Sequence, residues 1–499
     1  MKLKNDPEGM QSVSGRLIFV ITMLLVVMMA ARTPLDSDLW WHLRAGQVTV
    51  ETGKPLISDI FSFTRAGQTW VNHSWLSQVM LFGLFQLGST TGLTIWVTVL
   101  AVISLALVYI QMQGPAWWRA LLVILAAVTI APVWSPRPQM ASLMLFAGLG
   151  WWLGRWKTGE VRSLWILPIL FLVWSNLHGG YSLGFLLLGV FVVGQAFNHI
   201  LGFQEESLPW RTLGRISLWS GLAFLAVAIN PNGLEMWRIP FQTVGMNSLQ
   251  QFIQEWASPD FHDPTQQPIL LIFILLLGAL GFSGRKMNAV DWLTAAGFLA
   301  LALVSRRNIA PFALAAIPIL SSYGWSGVQG WLGRVSLTER FPSLANSREA
   351  SRPHPGINLL LAGVIGLVAF AKLGVVSLPA VVQSAEASAF PQAAVEWIRD
   401  HPNDGRTLSE YGWGGYLTWY LPEDPVFVDG RTDLFGDEIV TEWRQVVQAE
   451  QSMVEILNRW KIDRVLLMPD RPAASVLVDL GWMKVYEDQV SVILENRLK

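Results

Sequence analysis

The stretch Leu17–Trp41, LIFVITMLLVVMMAARTPLDSDLWW, decides how the rest of the chain is read. It opens on an apolar run near 17–33, and a bilayer core about 30 Å thick takes about 20 such residues per helix. Two carboxylates, Asp36 and Asp38, follow at once, then Trp40 and Trp41, a residue type at home at a membrane interface. An ionisable group at the edge of the hydrocarbon is costly unless it is paired or at work. The plainest alternative is a cap, with Asp38 closing the start of a helix over LWWHLRAGQVTVE.

Outward from this stretch, further apolar runs fall near 92–112, 117–134, 138–154, 163–177, 181–201, 213–230, 268–283, 289–304, 309–326 and 357–380. Eleven spanning helices are expected. Trp75–Leu87 is shorter and reads as a half-helix or interfacial helix that does not cross. Short-loop Lys and Arg set orientation. With the N-terminus inside, the basic connections at Arg155/Lys157/Arg162, Arg211/Arg215, Arg285/Lys286 and Arg334/Arg340/Arg348/Arg352 all fall inside. The polar, Pro- and Ser-rich 336–356 is then an inside linker. The connections 34–91, 135–137, 176–180, 231–267 and 305–308 lie outside, as does the tail. A multi-pass protein of the plasma (inner) membrane is expected, with the bilayer as its solvent.

Charge divides the chain in two. Only 14% of the 499 residues are charged, against about 25% in average soluble domains. The last 115 residues hold 31 of the 71 charged side chains, 20 acidic and 11 basic, while the first 384 hold 24 basic and 16 acidic. An acidic tail without a basic cluster argues against nucleic-acid binding. The absence of Cys excludes disulfides and Cys-based zinc or redox centres.

The tail alternates strand and helix patterns after a short polar linker, 381–390. We expect a small extracytoplasmic α/β domain over 391–499, three-layered, with a largely parallel sheet and PVFVDGR (425–431) as a buried strand. Asp429, Arg431 and Asp433 then lie just past a strand end, where an α/β domain places a site. The bland counterpart is an Asp–Arg network fixing a turn. The domains expected are therefore a transmembrane part, 1–380, with a catalytic outside loop, 34–74, then the linker and the tail.

The residues after the first span carry a resemblance. Asp38, an amphipathic helix, Gly53, Gly67-Gln68-Thr69-Trp70 and Asn72-His73 resemble the GT-C superfamily. These are polytopic glycosyltransferases that use polyprenyl-phosphate sugars, among them protein mannosyltransferases, the aminoarabinose transferase of lipid A and oligosaccharyltransferases. SPRPQ, SNLHGGY, NPNG, QEWASPDF and SRRN resemble a bacterial branch of such proteins. The resemblance implies a GT-C-like membrane fold and Asp38, rather than Asp36, as the family's catalytic carboxylate. It also implies a polyprenyl-phosphate sugar as donor partner; the acceptor is left unnamed. Many members have Asp-Glu where this chain has Asp38-Leu39.

The chemistry gives a reason of its own for these residue types. Transfer from a lipid phosphate needs a carboxylate to deprotonate the acceptor hydroxyl and cations to stabilise the departing phosphate. Asp38 suits the base and Asp36 a helper or a metal ligand. Arg306, Arg307 and Arg137 suit the phosphate, since guanidinium matches phosphate oxygens in a bidentate way. Headgroup anchoring is the alternative for all three. Trp41, His42, Asn72, His73, Asn176, His178, Glu255 and Asp260 are candidate substrate contacts, with packing histidines and solvated loops as their alternatives. A divalent ion stays open, because no HxxxH-like spacing fixes a site. Two other readings of the chain are a transporter or lipid flippase, and a non-catalytic scaffold for envelope assembly.

Overall fold

The computed structural model describes residues 13–203, 207–246, 253–334, 355–403 and 405–496, so most of the expected inside linker, 336–354, lies outside the described residues. All eleven apolar stretches are helical. Five helices are long and apolar enough to cross a membrane: Trp75–Gln111, Ala116–Val133, Tyr181–Ile200, Arg306–Leu332 and Gly356–Val376. Shorter apolar helices cover Ser14–Ala30, Ile166–Leu177, Pro268–Phe282 and Ala289–Val304. Gln139–Lys157 and Trp210–Ala226 are helices that carry charge near an end, at Arg155, Lys157, Arg211 and Arg215. Proline stands at or just before the start of several helices (Pro115, Pro138, Pro209, Pro268), where its missing N–H costs nothing.

Trp75–Leu87 is not a separate element. It is the first arm of Trp75–Gln111, which breaks at Ser89 (φ 50°, ψ −144°). A straight 37-residue helix would run about 55 Å, nearly twice a bilayer core. The break lets the short arm take a course of its own.

The helices close around a large aromatic core in which Tyr109, Phe171, Trp174, Phe298 and Phe312 are fully buried. Pro355–Val376 is different. Leu359, Leu360, Leu367 and Phe370 stand 64–76% exposed on successive faces. A helix apolar all round is stable only in an apolar surrounding.

The tail departs from expectation. Its sheet has strands β1 (Arg406–Ser409), β2 (Ile462–Leu467), β3 (Met483–Glu487) and β4 (Val492–Glu495) in the order β1-β2-β4-β3. Only β1 and β2 run parallel; β4 is antiparallel to both β2 and β3. The connection between β3 and β4 is too short for the crossover a parallel pair needs, and Asp488 closes it by accepting from the N–H groups of Val490 and Ser491. PVFVDGR joins no strand of this sheet. Val426 instead exchanges backbone hydrogen bonds with Phe61 and Phe63 of the 34–74 loop, at 2.9 and 3.1 Å. The helix expected across 437–460 is two, Thr432–Val447 and Met453–Arg459. The polar 381–388 is helical, within Pro379–Ala389.

The tail and the loop share a core. Leu39, Trp40 and Leu43 of helix Leu39–Thr52 pack with Phe390, Tyr416, Leu417, Leu466 and Ile493. Trp40, expected by its type at a membrane interface, is 1% exposed and meets Tyr416 edge to face at 5.3 Å.

Candidate active site

Asp38 occupies the N-cap position of helix Leu39–Thr52, yet its side chain makes no capping hydrogen bond. Its Oδ1 accepts from the indole N–H of Trp41 at 3.1 Å, and its Oδ2 lies 2.9 Å from an Nη of Arg137. Asp36 is turned toward the same group: its Oδ1 accepts from the Asp38 N–H at 2.9 Å and lies 4.0 Å from Arg137 Nε. Glu255 closes the set, 2.5 Å from the other Arg137 Nη. One guanidinium thus sits among three carboxylates. Burial pushes the Asp38 carboxyl up to about 7, with Arg137 restraining the rise and Asp36 and Glu255 adding to it. Burial works against the Arg137 cation, but the three carboxylates outweigh it and keep it well above its ordinary value.

The Arg pair approaches from the turn between helices Ala289–Val304 and Ile309–Arg334. Arg306 is tied down, its backbone N–H donating to Ala257 (3.0 Å) and its Nε to the Ser258 carbonyl (3.3 Å). The Arg307 guanidinium lies over the Trp256 ring, 4.2 Å from the centroid. It makes no hydrogen bond or ion pair with a described residue.

Asp36, Asp38, Arg137, Glu255, Arg306 and Arg307 all line one cavity of about 830 Å³. Trp41, His42, His73 and His178 line it too. His178 has a fixed tautomer: its Nδ1 accepts from the Gly180 N–H (3.1 Å) and from Ser142 Oγ (2.8 Å), whose own lone pair takes the Trp174 indole N–H. The proton therefore sits on Nε2. Burial holds this ring well below the ordinary imidazole value, so it is neutral near pH 7, and burial likewise lowers His73 and His42. His73 uses Nδ1 on Ser74 Oγ at 2.8 Å.

Three expected substrate contacts are elsewhere. Asn72 is buried and trades two 2.8 Å hydrogen bonds with Gln78, anchoring the loop to the following helix. Asn176 accepts from Trp75 Nε1 and donates to the Leu172 and Ile229 carbonyls, which pins helix ends together. Asp260 holds His262 at the surface, away from the cavity; Asp263 lines it instead. Arg137, expected to meet a phosphate, already has its charge matched by carboxylates.

The tail completes the wall. Tyr411, Gly430, Thr432 and Asp433 line the cavity. Gly430 is pressed so closely on the acid pair that a Cβ there would fall 1.8 Å from Asp38 Oδ1. Gly415 is similarly close to the loop, its Cβ direction ending 2.8 Å from the Ser37 carbonyl. Asp429 and Arg431 form the fixed turn, not a site: Arg431 reaches Asp429 through Nε and Nη2 and Asp59 of the loop through Nη1 (2.7 Å), all three side chains fully buried. Sequence reasoning singled out VFVDGRTDLFG but had no means to bring it against Asp38, 391 positions earlier than Asp429. Among the described residues no group of three or more His, Cys, Asp or Glu is arranged to hold a metal ion.

No family model and no curated protein matches the sequence. Solved structures do. The chain is similar to the archaeal oligosaccharyltransferase AglB of Archaeoglobus fulgidus in complex with an inhibitory peptide and a dolichol-phosphate, with a TM-score of 0.58 and 10% identity over 92% of this chain and 70% of that one. The apo form of the Archaeoglobus fulgidus oligosaccharyltransferase gives 0.55 and 10% over 90% and 69%. ArnT from Cupriavidus metallidurans, bound to undecaprenyl phosphate, gives 0.48 and 12% over 97% and 98%. The fold is that of the Archaeoglobus fulgidus oligosaccharyltransferase.

Proposed function

We propose that this chain is an integral-membrane glycosyltransferase that moves a sugar from a polyprenyl-phosphate donor to an extracytoplasmic acceptor. The observation that carries the proposal is the convergence of the Asp36/Asp38 pair and the Arg306/Arg307 pair on one cavity. The dolichol-phosphate in the similar archaeal structure supports the donor class. Eleven crossings, an inner-membrane location and a tail on the outer side belong to the same proposal.

In this proposal the acceptor hydroxyl loses its proton to Asp38 as its oxygen attacks the anomeric carbon. The glycosidic C–O bond breaks, and the electron pair leaves with the lipid phosphate. Asp38 works as a base because burial, with Asp36 and Glu255 beside it, raises its basicity against the pull of Arg137 and the Trp41 indole, which hold it in place. Arg307 makes no hydrogen bond or ion pair with a described residue, so its guanidinium is open to the developing phosphate charge, with Arg306 beside it. Arg137 serves as internal counter-ion, offsetting part of the repulsion among three clustered carboxylates. His178 offers its Nε2–H to a phosphate or hydroxyl oxygen.

Asp38→Asn preserves shape and removes the base. It is expected to lower transfer by about 10²–10⁴-fold while leaving membrane expression intact, measured with a labelled undecaprenyl-phosphate sugar. Transfer at the wild-type rate by the Asn variant refutes the assignment.

A further inference from the structure

We infer that Asp433, carried into the cavity by the tail, is a sugar-binding carboxylate that accepts hydrogen bonds from hydroxyls of the glycosyl unit, an inference that rests on the glycosyl-transfer proposal above. The backbone that delivers it is immobilised on both sides. Upstream, Gly430 lies against Asp38. Between them, the fully buried Arg431 joins Asp429 to Asp59 of the loop. Downstream, helix Thr432–Val447 begins, with Asp433 in its first turn.

A carboxylate in a first turn needs no function, since the helix N-terminus favours it. Asp433, however, is an exposed side chain on the wall of the cavity, and it acts electrostatically on the His73 ring, which lines the same cavity. It forms no hydrogen bond or ion pair with a described residue. The other acids near the base are accounted for: Asp36, Asp38 and Glu255 surround Arg137.

What remains for a ligand is the Arg307 guanidinium, which bonds no described residue, together with a carboxylate and the His178 Nε2–H. A bare lipid phosphate gains nothing from Asp433 and is repelled by it. A ligand that carries both an anionic phosphate and a set of hydroxyl donors satisfies every one of these groups, and a glycosyl phosphate is such a ligand. A carboxylate accepting from a hydroxyl is among the stronger neutral-to-charged hydrogen bonds, so its loss is expected to cost about tenfold or more in affinity.

The test is equilibrium binding to the full chain in lipid nanodiscs. The probes are undecaprenyl phosphate and its glucosyl, mannosyl, galactosyl and arabinosyl forms. The wild type is expected to bind at least one glycosylated lipid more tightly than the bare one. Asp433→Asn should lose about tenfold for that lipid and leave bare undecaprenyl phosphate unchanged or tightened. Asp433→Ser carries the same comparison should the Asn variant unfold early, and thermal unfolding of each variant reports its folding. A preference that survives in both variants overturns the inference while leaving the glycosyl-transfer proposal in place. A wild type that binds bare undecaprenyl phosphate but prefers none of the glycosylated forms also overturns it. A wild type that binds none of the five lipids overturns the glycosyl-transfer proposal itself, and this inference with it.

Discussion

Replacing Arg431 with Met removes the buried cation that, with Arg65 at the surface, ties the tail to the 34–74 loop. The three side chains involved, Arg431, Asp429 and Asp59, have no exposure to solvent, so no screening reduces the effect. Breaking a buried pair by removing one partner costs about 3–5 kcal/mol, because the other charge is left without compensation. The two carboxylates are not equally stranded. Asp59 keeps three donors, the N–H groups of Phe61 and Ser62 and the Ser62 hydroxyl. Asp429 keeps only the backbone N–H of residue 431. Most of the loss therefore belongs to Asp429, and Arg431→Met combined with Asp429→Asn should regain about half of it or more. Thermal unfolding of the detergent-solubilised chain, with limited proteolysis of the tail, reads both effects. A single variant that unfolds with the wild type, or a double variant no better than the single, refutes this account of how the tail is held.

Three further predictions concern the cavity. Because burial pushes Asp38 up to about 7 and a base works only when ionised, transfer should fall about tenfold per pH unit below that value and level off above it; a flat profile from about pH 5.5 to about pH 8 contradicts Asp38 as base. Arg307→Ala should weaken binding of undecaprenyl phosphate about tenfold or more, and Arg306→Ala less, since its Nε is engaged by a backbone carbonyl; equal losses from the two would reverse this ranking. Gly430→Ala places a methyl 1.8 Å from Asp38 Oδ1 and should cost about 1–3 kcal/mol of stability by overpacking. Adding Asp38→Ala should recover part of the lost unfolding temperature, since Trp41 Nε1 still lies 2.9 Å from the new methyl, without restoring transfer.

The sequence carried the helices well because apolar length is a local property: a run such as 357–380 declares itself whatever it packs against. It carried the acid loop for the same reason, since Asp36 and Asp38 stand out against the run that precedes them. Pairing was less legible. PVFVDGR has the composition of a buried strand, and nothing local distinguishes a strand of the tail's sheet from one that pairs with Phe61 and Phe63. The fate of Arg137 was hidden likewise, because Glu255 reaches it from 118 positions away. Asn72 and Asn176 have side chains equally fit for ligand or scaffold, and only their neighbours decide.

The backbone ladder between the acid loop and Val426 joins segments separated by more than 360 positions, as does the bond from the Thr64 hydroxyl to the Phe427 carbonyl. During synthesis, the carboxylates near the first helix emerge long before the chain that walls them in. A chain ended between Val376 and Tyr411 has its apolar helices but lacks the flank of the cleft that Tyr411, Gly430, Thr432 and Asp433 supply. The cleft is therefore complete only once the end of the tail has been made and folded against the loop.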